Sequence, residues 1–388
     1  MGNLAPTPAD PRMYPIFAAA GFGPEVFNPR QHRSCELVDL YVVRIAIHLV
    51  RVLGLVPALT GALTVDEILV ARGFAPAFRA PLGWLLERLV AADLLAREDR
   101  PRAPRYRLVD PLPEPGLEAA RAEGLATDPS YAASYDLLDQ AAVVYPKVAA
   151  GGTSGERALF QRVSLWGAYF SNSNGYYALN NRVAATVAAG LLPPDGGRIL
   201  EIGAGLGSAT AALLDLLGPR ARKLIEYRVT EPVEFFRRRA ERSLAAAAAP
   251  LSFAALDINR PWRAQGVAPR SCDLVWGVNV FHLARRLDEA LAEAGAALAN
   301  GGWLVIGEGV RPAPGRAVSA EFPFQLLGSY VDVELDPARR PNPGFLTAAQ
   351  WQHELALAGF STVAVVPDVA RLLQVHPGFF AAAVTGRR

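Results

Sequence analysis

Apolar positions follow two different rhythms along the chain. Leu40, Val43, Ile47, Val50 and Leu53 lie on one stripe at helical spacing, and the stripe ends near Gly54 and Pro57. Thr64 followed by Glu67 forms a capping-box signature that starts a second helix. A third helix is expected over residues 80–92, and two short strands over 94–109 flank Arg100, Pro101 and Arg102. Helix, helix, helix and hairpin is the order of a winged-helix unit. From residue 198 onward the rhythm becomes short apolar runs alternating with helices: 199–202, 226–230, 251–256, 273–278, 303–307, 362–366 and 379–384. Unbroken apolar strands between helices predict a buried, mostly parallel seven-stranded α/β sheet. The expected organisation is an aperiodic lead-in at 1–37, a winged-helix-like dimerisation domain at 38–128, a helical connector and substrate cap at 129–195, and the α/β domain at 196–388. Residues 311–345 interrupt the last of these as a cap insertion.

The strongest chemical signal follows the first of the seven runs. Glu201 is succeeded by Gly203, Gly205 and Gly207, so a strand enters a glycine-rich turn and then an amphipathic helix. Glycines let the backbone turn tightly and approach a ligand where a Cβ would clash. Acid followed by Gly-x-Gly-x-Gly resembles the first motif of class I S-adenosylmethionine-dependent methyltransferases, which implies a Rossmann-like methyltransferase sheet and S-adenosylmethionine as cofactor. The resemblance places Glu231, in Val-Thr-Glu-Pro, where a carboxylate accepts the ribose hydroxyls. It places Asp257 where an acid takes the adenine amino group, with Ile258 against the ring. Asn279 completes the implied cofactor-binding set. His282, after the fourth strand, and Glu308, on the fifth, would then emerge at the same edge of the sheet. The carboxylate could orient one ring nitrogen while the other takes a proton from substrate.

A longer stretch, about 160–388, looks like the C-methyltransferase domains of polyketide synthases. It includes Arg-Ile-Leu-Glu-Ile-Gly-Ala-Gly-Leu-Gly, Asn-Val-Phe-His, Gly-Gly-Trp-Leu-Val-Ile-Gly-Glu and Phe345-Leu-Thr-Ala-Ala-Gln-Trp-Gln. That resemblance assigns the His282–Glu308 dyad to deprotonating an acidic carbon. The N-terminal half instead resembles the dimerisation region of small-molecule O-methyltransferases, which also place a His and a Glu on these strands. The dyad suits carbon and oxygen acceptors alike (β-keto acyl compound, indole or phenol), but the Asp-Trp-Ser-Asp signature of the O-methylating enzymes is absent after His282, so C-methylation is expected, with O-methylation of a phenolic or hydroxylated small molecule as the alternative. No ketosynthase, acyltransferase or carrier pattern is visible, so a free-standing enzyme of bacterial secondary metabolism is expected.

The stretch from Trp166 to Asn181 interleaves aromatic residues with asparagines. Trp166, Tyr169, Tyr176, Tyr177, Asn180 and Asn181 are the candidate substrate contacts, since flat rings and amide donors suit an aromatic pocket. Phe324, with Phe322 and Tyr330, is expected to form a lid from the insertion.

Composition narrows the alternatives. A net charge of +2 and a charged fraction of 20% advertise neither a nucleic-acid nor an anionic-membrane partner. All but two of the 39 basic residues are arginine, which reads as GC-rich coding. Residues 38–110 carry ten Arg against eight acids, too near neutrality for a DNA-reading surface, so a DNA-binding regulator with an inert methyltransferase fold is the alternative of another class. Two distant cysteines exclude a disulfide scaffold and suit a cytoplasmic compartment. No histidine or acidic spacing suggests a metal. The stripe over 38–53 and the Leu82, Leu85, Leu86 and Leu89 face offer more apolar surface than one small unit buries alone, which predicts a homodimer.

Overall fold

The structure, a computed structural model, describes residues 4, 8–376 and 378–388. The start of the lead-in, residues 1–3 and 5–7, lies outside the described residues, as does Pro377. Two compact units emerge. One contains Pro29–Tyr169 and Gly315–Asp332; the other contains Asp10–Asn28, Phe170–Pro314 and Val333–Arg388.

The first unit is mainly helical. Its long helix, Pro29–Val52, begins nine residues before the expected start at Val38, so the lead-in is structured at its end. Thr64 and Glu67 form the capping box that starts Val65–Arg72, and each accepts the other's backbone N–H. Helix Arg79–Val90 follows, and then a hairpin in which β1 (Leu95–Glu98) pairs antiparallel with β2 (Arg105–Leu108). A short helix, Val56–Thr60, which was not expected, stands between the first two.

The apolar faces that argued for a homodimer are covered within this unit. Leu82, Leu85, Leu86 and Leu89 are each 0% exposed, and of the stripe Val43, Ile47, Val50 and Leu53 are buried and Leu40 half-buried. The segment Gly315–Asp332 supplies much of the cover. Phe322 stacks on Tyr145 at 4.6 Å, and its carbonyl accepts the Tyr145 hydroxyl at 2.9 Å. Glu321, wholly buried, accepts Trp84 Nε1–H at 3.1 Å and the Tyr330 hydroxyl at 2.7 Å. Surface satisfied inside one chain is no longer a reason for a second copy.

The second unit is a seven-stranded sheet formed by β3 (Arg198–Glu201), β4 (Glu226–Thr230), β5 (Leu251–Ala254), β6 (Cys272–Val278), β7 (Leu298–Gly309), β8 (Ser361–Val366) and β9 (Ala381–Arg387). The order across the sheet is β5-β4-β3-β6-β7-β9-β8, with β9 antiparallel to both neighbours and the other pairings parallel. The order reverses about β3, which is where open α/β sheets leave a crevice for a ligand beyond the carboxyl ends of their strands. Among the described residues, no helix is long and apolar enough to cross a membrane.

Candidate active site

The glycine turn leaves β3 through three left-handed residues, with φ of +64°, +55° and +82° at Gly203, Gly205 and Gly207. A Cβ on Gly203 would collide with Val280 Cγ2, whereas one on Gly205 would meet nothing within 4 Å. Gly203 therefore serves close backbone packing, and Gly205 faces open space that a ligand can approach.

Glu201 points into the sheet's packed interior. Its Oε2 accepts the Thr210 hydroxyl at 2.7 Å and the Tyr227 hydroxyl at 2.6 Å, and Tyr227 in turn accepts Trp276 Nε1–H at 3.1 Å. The register explains the meeting. Ile199 pairs with Tyr227 and Glu201 with Trp276, while Ile199 and Glu201 share a face through the two-residue alternation of the strand. Burial raises the Glu201 carboxyl to about 7, despite the two hydroxyl bonds that favour its charged form.

Glu231 follows β4 and ties the glycine turn to the second strand. Its carboxylate accepts the N–H of Gly205 at 3.0 Å and of Val233 at 2.9 Å. Burial pushes its carboxyl upward, partly countered by these two amides and by Arg237. A carboxylate has about four acceptor positions, so two bonded amides leave capacity for hydroxyls. Asp257 lies three residues beyond the end of β5, in a turn rather than on the strand itself. Its Oδ1 accepts Asn259 N–H at 2.9 Å and its Oδ2 lies 3.3 Å from Arg260, while Ile258 beside it is half-buried.

The dyad forms at the neighbouring strand ends. β6 stops at Val278, Asn279 takes a left-handed φ of +54°, and a 3₁₀ turn over Phe281–Leu283 folds His282 back over the edge. Glu308, fully buried near the end of β7, lies 2.6 Å from His282 Nδ1 through Oε2. Its Oε1 accepts the backbone N–H groups of Val280 and His282, both at 3.2 Å. The carboxylate accepts, so Nδ1 carries the hydrogen and Nε2 is the basic nitrogen. The Phe345 ring packs against the imidazole, with centroids 4.7 Å apart.

The aromatic–asparagine stretch divides. Tyr176, Tyr177, Asn180 and Asn181 lie on helix Gly175–Leu191 of the second unit. Asn180 Nδ2–H donates to Asn279 Oδ1 at 2.9 Å, joining two residues expected to have different tasks. Tyr177 is also hydrogen-bonded to Asn279, and burial holds its phenol above the usual range, so it stays protonated. Asn181 bonds Asn172, which reaches the carbonyl of Ser208 at the start of the helix after the glycine turn. Tyr176 packs on Phe380. Trp166 and Tyr169 belong to the first unit, where both rings cluster with Phe324, at 5.8 and 6.2 Å between centroids. Phe324 also stacks on Tyr330 at 5.8 Å. The single cap expected from connector and insertion is thus split after Tyr169 and, within the insertion, after Pro314 and after Asp332.

Two buried acceptors, Asn180 Oδ1 and Asn181 Oδ1, lack a hydrogen-bond partner. A buried unpaired amide oxygen costs about 1–3 kcal/mol, so it marks a place for a donor. An ammonium is such a donor. With the open approach at Gly205 and the spare capacity of Glu231, the residues present fit an aminoacyl nucleoside such as S-adenosylmethionine. Thr210, Tyr227, Trp276, Arg340 and Phe345 are the functional neighbours that sequence reasoning missed. Tyr227 and Trp276 had a legible signal in the strand register around Glu201, and Phe345 heads a motif already quoted, whereas Thr210 lies on the following helix and Arg340 in a turn.

Residues 200–304 match a family described as a methyltransferase domain. The hybrid PKS-NRPS synthetase lepA of Aspergillus flavus is 32% identical over 224 residues, covering 55% of this chain and 5% of that protein. Polyketide synthase ThaG of Burkholderia thailandensis is 30% identical over 182 residues, covering 47% of this chain and 3% of that protein. The chain thus spans only about a twentieth, or less, of the length of these relatives. Among solved structures, the CurJ carbon methyltransferase superposes with a TM-score of 0.77 at 22% identity, covering 97% of this chain and 96% of that one. The DszA carbon methyltransferase gives 0.76 at 21% identity, with 99% and 98% covered. Residues 200–304 are therefore similar to a methyltransferase domain, and the chain has the fold of the CurJ and DszA carbon methyltransferases.

Proposed function

We propose that this protein moves a methyl group from S-adenosylmethionine to an acidic carbon of a small molecule, with a β-keto acyl compound as the leading acceptor class and an indole or other electron-rich aromatic carbon as the next. The observation that carries the reading is the buried contact of 2.6 Å between His282 Nδ1 and Glu308 Oε2, beside a glycine turn with an open approach. The likeness to carbon methyltransferase domains adds support, as does the trans-methyltransferase CalH, solved with S-adenosylhomocysteine and superposing with a TM-score of 0.61.

When bound, S-adenosylmethionine would supply an electrophilic methyl whose bond to sulfur breaks as the incoming carbon bonds to it in line, the sulfur leaving as the neutral thioether of S-adenosylhomocysteine. Everything else falls to the chain. The glycine turn and Glu231 would hold the nucleoside end, and the Asn180 carbonyl, beside Asn279, would receive the ammonium. His282 Nε2 takes the proton from the acidic carbon, whose electron pair then forms the new bond. Glu308 fixes the ring through Nδ1–H and stabilises the imidazolium as it forms. Its own position is fixed by the two backbone amides it accepts, so the base is aligned before substrate arrives.

Assay with methyl-labelled S-adenosylmethionine and a panel containing a β-keto thioester, an indole and a phenol tests the reading. Label on the α-carbon of the β-keto thioester, or on an indole ring carbon, is expected. Label only on the phenolic oxygen would replace this reading with O-methylation.

A further inference from the structure

The turn that carries His282 is gripped from outside the dyad. Arg340, 4% exposed, donates Nη1–H to the carbonyl of Ala284 at 2.7 Å and Nη2–H to the carbonyl of His282 itself. Those carbonyls lie at the end of the 3₁₀ turn Phe281–Leu283, where a short helical turn leaves acceptors unsatisfied. One planar guanidinium spans both, which fixes the separation and direction of the two carbonyls as a point charge could not. Arg340 is itself held by a tight turn, because its N–H and carbonyl exchange hydrogen bonds with Asp336 at 2.8 and 3.0 Å. The same segment touches the His282 loop twice more. Glu334 N–H donates to the carbonyl of Arg285 at 2.8 Å, and the Phe345 ring lies on the imidazole. Arg311 anchors the far end of the segment by donating Nε–H to the Phe345 carbonyl.

We propose that Arg340 is a positioning residue for His282, fixing the backbone of the base so that the imidazole meets Glu308 on one side and substrate on the other. The proposal rests on the base role given to His282 above. A buried cation committed to two consecutive-turn carbonyls does no chemistry of its own; it restricts where the imidazole can sit. Misplacing a reacting group by about 1 Å costs on the order of 100-fold in rate.

The test uses the full chain and two readouts. The first needs no acceptor: the downfield proton resonance of the His282 Nδ1–H···Glu308 bond, identified by its loss in His282→Ala. In Arg340→Met it should broaden or move, while S-adenosylhomocysteine affinity stays within about twofold of the parent protein. Arg340→Lys, which keeps the charge and loses the fork, should recover the resonance only in part. The second is turnover on the N-acetylcysteamine thioester of acetoacetate. Arg340→Met should lose about 10- to 100-fold, yet cost nothing further in the His282→Ala background, because the two act as one unit. If Arg340→Met does not fold by circular dichroism, Arg340→Lys takes its place in both comparisons. An unmoved resonance, or a loss of equal size with and without His282, overturns the positioning role. A resonance that moves while His282→Ala keeps normal turnover would leave the positioning intact and sink the base assignment instead.

Discussion

The two halves of the site are built in opposite ways. The proposed nucleoside half is built on a local turn: Glu201, the glycines at 203, 205 and 207, and Thr210 fall within ten residues, and Glu231 closes on the Gly205 N–H from the end of the next strand. The dyad half gathers side chains from far apart. His282 meets Glu308 across 26 residues, and Arg340 reaches back 58 to the His282 carbonyl. A local turn is specified by the conformational freedom of its glycines, so it survives wide change elsewhere. A constellation assembled over such separations depends on the whole sheet and on the segment that clamps it. The nucleoside half should therefore be sensitive to backbone changes, and the dyad half to single side-chain truncations.

His282→Ala should break the dyad half most severely. General-base groups contribute about 100- to 10,000-fold, and turnover should fall by that factor while calorimetric S-adenosylhomocysteine affinity barely changes. A parallel loss of affinity would mean that the halves are not separable. Glu201→Gln probes the interior of the nucleoside half through stability. The folded carboxyl sits at about 7 against an ordinary 4.5, so the stabilisation is full below pH 4.5 and is lost as pH rises through 7. Between those limits the parent protein should lose roughly 3 kcal/mol relative to the neutral Gln variant, read as diverging urea midpoints at pH 5 and pH 8. Parallel midpoints would refute a neutral buried Glu201.

Gly205→Val should weaken S-adenosylhomocysteine binding about ten- to hundredfold, because φ of +55° strains a β-branched residue and its side chain fills the approach. Unchanged affinity would remove the nucleoside from the glycine turn. Smallest of the four, Glu308→Gln should cost about tenfold in turnover, close to the net contribution of a charged hydrogen bond. The loss should not add to that of His282→Ala.

Much of this was legible in the chain. Seven apolar runs predicted the seven strands, since a strand buried on both faces must be continuously apolar. The acid–glycine turn announced itself because glycine adopts those angles without the strain a Cβ brings. Strand order then made the His282–Glu308 meeting foreseeable, as parallel neighbours are about 5 Å apart. Asp257 proved displaced into a turn because β5 ends at Ala254, and the first long helix began earlier than its apolar stripe, because Pro29 suits a first turn and needs no periodicity.

The sequence by itself determined the local pieces: capping boxes, glycine angles, strand alternation and the identity of the groups at the strand ends. These depend on interactions within a few residues, which periodicity and side-chain type encode directly. The tertiary structure alone decided which apolar faces were already covered, how the connector and insertion divide between two units, and that Arg340 closes on the carbonyls of the His282 turn. Each of those depends on contacts between segments tens to hundreds of residues apart. There the chain's spacing carries no signal, and only the packed core and the saturation of buried polar groups select the partner.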